Sequence, residues 1–144
     1  MHCCLTLVTL SLIVALVSGC GSAPASRLYT LSAGAAPAAT PSNLSVAVGP
    51  VSVPAVVDRP QIVVTTSPNQ VRVEEFNRWA APLQNGIARV VAENLVAMLG
   101  TPRVTLSPQT LSADADYRAA IAVQGFESSP GEAAVLDAVW TVRR

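Results

Sequence analysis

The residue with the clearest chemistry in this chain is a cysteine that follows a short apolar stretch. The stretch covers residues 5–17, and two small residues separate it from Cys20. Small residues allow a peptidase to approach the cut site, and the cysteine sulfur is the nucleophile that a thioether bond to lipid requires. The pattern predicts a bacterial lipoprotein signal peptide at 1–19 and a lipid attached covalently to Cys20.

Length distinguishes this signal from a transmembrane anchor. A spanning helix needs roughly 20 apolar residues, whereas the apolar region of a signal peptide has about 7 to 15, and residues 5–17 fall in the second range. A plain secretory signal is the other alternative, and Gly19-Cys20 favours the lipoprotein signal over it. The start, Met1-His2, departs from the usual basic beginning of such signals.

Composition excludes several classes of function. The single histidine, His2, lies in the predicted signal, so the mature chain of about 125 residues has no histidine and only Cys20 as a cysteine. This removes Ser-His-Asp and Cys-His catalysis and nearly all zinc or haem ligation. Nine arginines balance nine acidic residues without a basic patch, which argues against nucleic acid binding. We therefore expect no enzymatic activity, no metal and no cofactor beyond the lipid.

The carboxylates do not form a convincing catalytic pair. Glu74 and Glu75 are adjacent in a predicted strand, so their side chains point to opposite faces. Asp114 and Asp116 could share a face, but they lie in a polar stretch, and we expect a solvated loop there.

Three regions follow along the chain. Residues 1–19 are the predicted signal, 20–43 form a Pro- and Ala-rich tether that begins at the lipidated cysteine, and 44–144 form a folded domain. Within the tether, residues 27–31 are predicted to be a short strand docked on the domain, with a sticky patch in the linker as the alternative.

The domain combines strands of period-two pattern with one helix of period 3.6. The helix is predicted from Trp79 to Leu99, with an apolar face for the core, and ends at Gly100 before Pro102. A hairpin is expected between the strands at 61–66 and 71–75. The predicted strands are 44–48 (half-buried, broken at Gly49-Pro50), 61–66, 71–75, 103–106, 117–126 and 134–142. This order favours the α+β class, with a mixed or antiparallel sheet packed against one long amphipathic helix.

An ordered series of motifs resembles the ABC-type transport auxiliary lipoproteins, which include the lipoprotein subunit of the paraquat-inducible, MCE-type intermembrane transport system. The match covers roughly Tyr29 to Trp140. The motifs are Val48-Gly49-Pro50-Val51-Ser52-Val53-Pro54, Asp58-Arg59-Pro60-Gln61-Ile62-Val63, Asn69-Gln70-Val71, Arg78-Trp79-Ala80-Ala81-Pro82-Leu83 and Ala92-Glu93-Asn94-Leu95.

The resemblance implies a non-enzymatic auxiliary subunit of a lipid or organic-solvent transport machine. It implies an acylated (palmitate-type) anchor in the cell outer membrane, a domain facing the periplasm, and an MCE-type protein as the partner. Gly21, in place of an aspartate, also favours the outer membrane. Family members continue beyond Arg144, so the resemblance implies a domain truncated at its C-terminus. A homo-oligomer is left open.

Four motif residues are candidate partner contacts. Asp58 and Arg59 could contact a partner, or they could form an ion pair that clamps their loop. The clamp is favoured, because exposed ion pairs contribute only modestly to the free energy of an interaction. Arg78 and Trp79 could anchor an interface, where Trp and Arg dominate binding energy, or Trp79 could plug the sheet, and these two interpretations are weighted evenly.

Two other functions compete with the transport subunit. One is a stand-alone outer-membrane lipoprotein that supports envelope integrity. The other is a periplasmic hydrolase, against which the absence of a mature histidine argues.

Overall fold

The computed structural model describes residues 24–34, 40–108 and 114–144. One helix and seven strands lie in these residues. They are β1 (Arg27–Tyr29), β2 (Val46–Ser52), β3 (Gln61–Ser67), β4 (Gln70–Trp79), α1 (Leu83–Leu99), β5 (Val104–Leu106), β6 (Tyr117–Ser129) and β7 (Ala133–Arg143). Cys20 and the predicted signal lie outside the described residues. Within the described part of the chain, no helical segment is both long and apolar enough to span a bilayer.

The strands divide between two sheets. The first has the order β1-β4-β3, with β3 and β4 forming the predicted antiparallel hairpin and β1 parallel to β4. The second has the order β5-β2-β6-β7, in which β2 runs parallel to both neighbours and β7 runs antiparallel to β6. The α+β class and the mixed pairing are confirmed, and so is the short docked strand in the tether, as β1.

The prediction of a half-buried strand at β2 is wrong. Val46, Ala47 and Val48 are all buried, at most 7 % exposed, because β2 has a paired strand on each side and α1 against one face. The expected break at Gly49-Pro50 is instead an irregularity inside the strand, where the register with β6 shifts. Gly49 has φ +118°, and a Cβ there would lie 3.0 Å from the Ser107 carbonyl oxygen, so glycine fits this close approach.

The helix starts later than predicted and ends where predicted. Trp79 is the last residue of β4, and its N–H donates to the Pro60 carbonyl at 2.7 Å, so the chain is still extended there. The helix begins at Leu83, after Pro82. Gly100 adopts the left-handed conformation, φ 58° and ψ 32°, that closes a helix C-terminus.

The core joins the two sheets through the helix and one loop. Its buried members come from the β2–β3 loop, β3, the first turns of α1, and β6. They are Val57, Val63, Leu83, Ile87 and Val123. The predicted core role of the helix stripe is confirmed at its N-terminal half, whereas Met98, near the other end, is 53 % exposed.

The residues before β2 are attached along the helix, and we call the described residues 24–34 and 40–44 the strap. In the N-terminal half of α1, the Arg89 guanidinium donates to the Leu31 carbonyl at 2.5 Å. At the other end, the Ser42 N–H donates to the Leu99 carbonyl at 3.0 Å. The strap therefore contacts both halves of the helix.

Candidate partner-binding site

Two of the four candidate contacts lie in the tight loop between β2 and β3. The Asp58 N–H donates to the Pro54 carbonyl at 3.1 Å, and the Arg59 N–H donates to the Val57 carbonyl at 2.9 Å. These backbone hydrogen bonds hold the loop while both charged side chains stay exposed.

The predicted ion-pair clamp between Asp58 and Arg59 is wrong. Neither side chain forms an ion pair with any described residue. The salt bridges among the described residues lie elsewhere. They join Arg72 to Glu74 at 2.8 Å and Arg89 to Glu93 at 2.7 Å. Backbone geometry, rather than charge, fixes the loop, so its two opposite charges remain available for contacts outside it.

Trp79 stands beside this loop. The Trp79 N–H bond to Pro60 brings the end of β4 against the loop. The indole packs edge-on against Phe126 of β6, with ring centroids 6.1 Å apart and planes at 82°, a favourable aromatic geometry. The indole also touches the hydrophobic core. This supports the plug interpretation, and the partly exposed ring still offers a surface.

A groove of about 390 Å³ brings Asp58, Arg59 and Trp79 together, and we call it the loop groove. Pro82 and Gln84, at the start of α1, complete the wall that faces the loop. The groove therefore brings an anionic, a cationic and an aromatic side chain together in one depression.

Arg78 is not among the described residues that line the loop groove. Successive strand residues point to opposite faces, so Arg78 and Trp79 diverge. Arg78 lies between Leu28 of β1 and Gln61 of β3 in the first sheet, and its Nε is buried without a hydrogen-bond partner. Arg78 and Trp79 are neighbours in the sequence, but β4 places their side chains on opposite faces.

Trp79 also borders a second, more apolar depression of about 410 Å³, the helix groove. Its walls are Tyr29 and Leu31 of the strap, Leu83 of α1, and Pro108 after β5.

The only cation among the described residues that line the helix groove is Arg89. One side of its guanidinium binds Glu93 at 2.7 Å, and the other side binds the Leu31 carbonyl. Its charge is thus largely satisfied, and the groove is suited to apolar rather than anionic groups.

Asp116 has a structural partner that the sequence did not reveal. Its carboxylate accepts hydrogen bonds from the Ser45 N–H at 2.9 Å and the Ser45 hydroxyl at 2.6 Å, and its own N–H donates to that hydroxyl at 2.9 Å. Hydrogen bonding to Ser45 lowers the pKa of Asp116 below its ordinary value. Asp114 remains exposed, as expected for the loop.

Glu74 belongs to a polar network on the first sheet. Hydrogen bonds from Arg72 at 2.8 Å and Asn77 at 3.1 Å lower the pKa of Glu74. The Tyr29 hydroxyl donates to the Asn77 side-chain oxygen at 3.2 Å, which ties β1 into the network. Hydrogen bonds within the fold thus explain the lowered pKa values of both Glu74 and Asp116. No cluster of three metal-binding side chains occurs among the described residues.

The site is therefore a pair of shallow grooves on an α+β domain with a docked N-terminal strap. The chain belongs to the family of ABC-type transport auxiliary lipoprotein components, whose family model matches residues 29–144. The family description is that of a transport component and names no enzymatic activity. The expected family is thus confirmed. None of the curated proteins compared with the chain matches it.

Two solved structures share the fold. One is protein XCC0632 from Xanthomonas campestris, of the family DUF330, with a TM-score of 0.60 and 19 % identity over 82 % of this chain and 77 % of that one. The other is an uncharacterized protein with a TM-score of 0.57 and 20 % identity over 84 % of this chain and 81 % of that one. At these identities the likeness concerns the fold alone.

Proposed function

We propose that this protein is a membrane-anchored, non-enzymatic auxiliary subunit of an MCE-type ABC transport system that moves lipids or organic solvents between membranes. The observation that carries the proposal is the family match over residues 29–144. The composition supports a binding role, because the mature chain lacks the histidine that most hydrolytic sites use.

The anchor in this proposal is lipid on Cys20, exposed after removal of residues 1–19. Acyl chains contribute about 0.8 kcal/mol for each buried methylene, and two or more hold a protein stably on a bilayer. Residues 20–43 connect the lipid to the domain at 44–144. The strand β1 begins a few residues after Cys20, so the domain would stay close to the outer membrane and face the periplasm.

The partner in this proposal is an MCE-type protein, and the loop groove is its contact. Aromatic and arginine side chains carry much of the energy of protein interfaces, and opposite charges on one rim fix the orientation of a partner. Trp79, Arg59 and Asp58 supply these features around one depression. Arg78 lies on the other face, so a contact by Arg78 would belong to a separate part of the interface.

Capture of the MCE partner from membranes tests the proposal. We expect the wild-type protein to retain the partner and Arg59→Gln to retain at least several-fold less. Arg27→Gln is the matched control, because Arg27 is an exposed arginine on β1, outside the loop groove. Asp58→Asn and Asp114→Asn form a second matched pair. Equal capture by all four variants would reject the loop groove as the contact.

The anchor requires a separate measurement. Mass spectrometry of native protein should find acyl chains on Cys20, and Cys20→Ala should lose outer-membrane retention. A bare thiol in the native protein would reject the anchor. An acylated protein that captures no MCE partner would reject the transport role and favour the stand-alone envelope lipoprotein.

A further inference from the structure

An exposed leucine and two arginines lie together on β1 and β4, and we call Arg27, Leu28 and Arg78 the anchor patch. Leu28 is 67 % exposed, and it lies in register with Arg78 of the neighbouring strand. Arg27, one position earlier in β1, is also exposed. Neither guanidinium forms an ion pair or a hydrogen bond with a described residue, and Nε of Arg78 is buried without a partner. Both positive charges are therefore available to an outside anion.

The anchor patch is separate from both grooves. Residues in register across two strands project from the same face, and neighbours along one strand project from opposite faces. Leu28 and Arg78 therefore share one face, while Tyr29 and Trp79, which line the helix groove, share the other. Arg27 begins a strand at the edge of the sheet, where a long arginine stem can carry its charge towards either face.

The number of residues between the patch and the proposed anchor limits how far the patch can lie from the membrane. Arg27 is seven positions after Cys20, and a fully extended chain spans at most about 3.3–3.6 Å per residue. The Arg27 backbone therefore stays within roughly 25 Å of the lipidated sulfur, whatever path the chain takes. Because β1 pairs with β4 and the strap is bonded to α1, this short link holds the whole first sheet near the bilayer.

We propose that the anchor patch docks on the surface of the membrane that holds Cys20, with Leu28 among the lipids and the two guanidinium groups on phosphate headgroups. A guanidinium matches the geometry of a phosphate, and an apolar side chain beside positive charge is typical of surfaces that lie at the boundary of headgroups and acyl chains. The docking rests on the lipid anchor of the proposed function, but it does not require an MCE partner.

The anchor makes this small patch sufficient. Glu75, three positions before Arg78, is an exposed anion, so the surface has only a small excess of positive charge. Such a patch alone would not hold a protein on a bilayer. Once the acyl chains are inserted, however, the contact is intramolecular, and a high effective concentration lets weak contacts set the orientation of the domain. The loop groove, which Trp79 lines from the opposite face of β4, then stays clear of the membrane.

A single dye on the protein tests the docking. The mature chain with acylated Cys20 has no other cysteine, so Leu28→Cys provides a unique site for an environment-sensitive dye. Met98→Cys is the matched control, because Met98 is also an exposed apolar residue, 53 % exposed, near the far end of α1. The acylated full chain is placed in vesicles of phosphatidylethanolamine and phosphatidylglycerol that contain a quencher on the headgroup. We expect quenching at position 28 to be at least several-fold stronger than at position 98.

Variants of Arg78 test the charge contribution in the Leu28→Cys background. Arg78→Gln should reduce the quenching about twofold or more, whereas Arg78→Lys should retain most of it because the charge remains. Arg59→Gln, in the loop groove, is the control and should leave the quenching unchanged.

Flotation of the vesicles separates a failure of the docking from a failure of the anchor. Protein that floats with the vesicles but is quenched equally at positions 28 and 98 would overturn the docking and leave the anchor intact. Equal losses in Arg78→Gln and Arg78→Lys, or no loss in either, would overturn the role of the positive charge. Protein that does not float would reject the anchor itself, and the docking with it.

Discussion

Ser45 and Asp116 hold each other through three hydrogen bonds although 71 positions separate them in the chain. Ser45 is only 8 % exposed and immediately precedes β2, while Asp116 immediately precedes β6. The Tyr117 N–H also donates to the Ser45 carbonyl at 3.1 Å. These contacts fix where the parallel pairing of the two strands begins.

Removal of the Ser45 hydroxyl should therefore weaken the fold. We expect Ser45→Ala to lower the free energy of unfolding by about 1 kcal/mol, the usual contribution of a hydrogen bond. Ser42→Ala is the matched control, because the Ser42 hydroxyl is buried without a partner and its backbone bond to Leu99 survives the change. Urea titration measures both. A Ser42→Ala defect as large as that of Ser45→Ala would contradict the assignment.

Acid should destabilise the protein through Asp116 and Glu74. Their pKa values are lowered in the folded chain, so as pH falls the unfolded state takes up protons first. Their contribution is fully present above the ordinary carboxyl values of about 3.9 and 4.3, and it is lost as pH falls through the lower folded-state values.

The urea midpoint measured between neutral pH and pH 2 tests this acid dependence. Asp116→Asn should make the acid decline shallower. Asp114→Asn, which removes an exposed carboxylate from the same loop and keeps the Ser45–Asp116 hydrogen bonds, is the matched control. The idea fails if the two variants decline alike.

Two glycines should respond to alanine in opposite directions. Gly100 has φ +58°, and a Cβ there would lie 2.9 Å from Pro41 Cα, so Gly100→Ala should cost about 1–2 kcal/mol or more of stability. A Cβ on Gly86, inside α1, would meet Leu31 at an ordinary 3.6 Å. Gly86→Ala should therefore stabilise by about 0.4–1 kcal/mol. Thermal unfolding checks both signs, and stabilisation by Gly100→Ala would refute the packing of the strap on the helix end.

Arg89 should control how tightly the strap is held. Arg89→Ala removes the bond to the Leu31 carbonyl, and we expect local opening of β1 to increase several-fold. The readout is hydrogen exchange of the Ala80 amide, which donates to the Tyr29 carbonyl at 2.9 Å. Glu93→Gln is the control, since it weakens the ion pair on the helix and keeps the strap bond. Equal exchange in both variants would mean that Arg89 does not hold the strap.

Local patterns predicted the helix end and the hairpin well. Gly100 and Pro102 marked a helix stop because few other residues fit the left-handed turn, and turn residues 67–70 joined two strands of period two. The helix start was misplaced because Trp79 belongs to a strand that the Pro60 carbonyl extends. A tertiary hydrogen bond decided that boundary, and no local pattern contains it.

The remaining differences concern partners far apart in the sequence. The alternation at 44–48 predicted one solvated face, but a strand between two parallel neighbours is buried irrespective of its local pattern. Contacts between distant residues also produce the division into two sheets, the strap contacts and the Ser45–Asp116 pair, and no local pattern reveals them. For the candidate site, the sequence identified Asp58, Arg59 and Trp79, which the structure brings together, but it could not show that Arg78 points elsewhere.

The central position of β2 also determines the order of assembly. Val46 pairs with Val104 and with Tyr117, so the most buried strand has no paired strand until residues beyond 104 have left the ribosome. The entropy of closing such long loops is lost before the contacts they bring can stabilise the fold, and this slows folding. Sheets dominated by distant pairing fold in about milliseconds to seconds. During that interval a bare apolar strand is exposed to wrong partners.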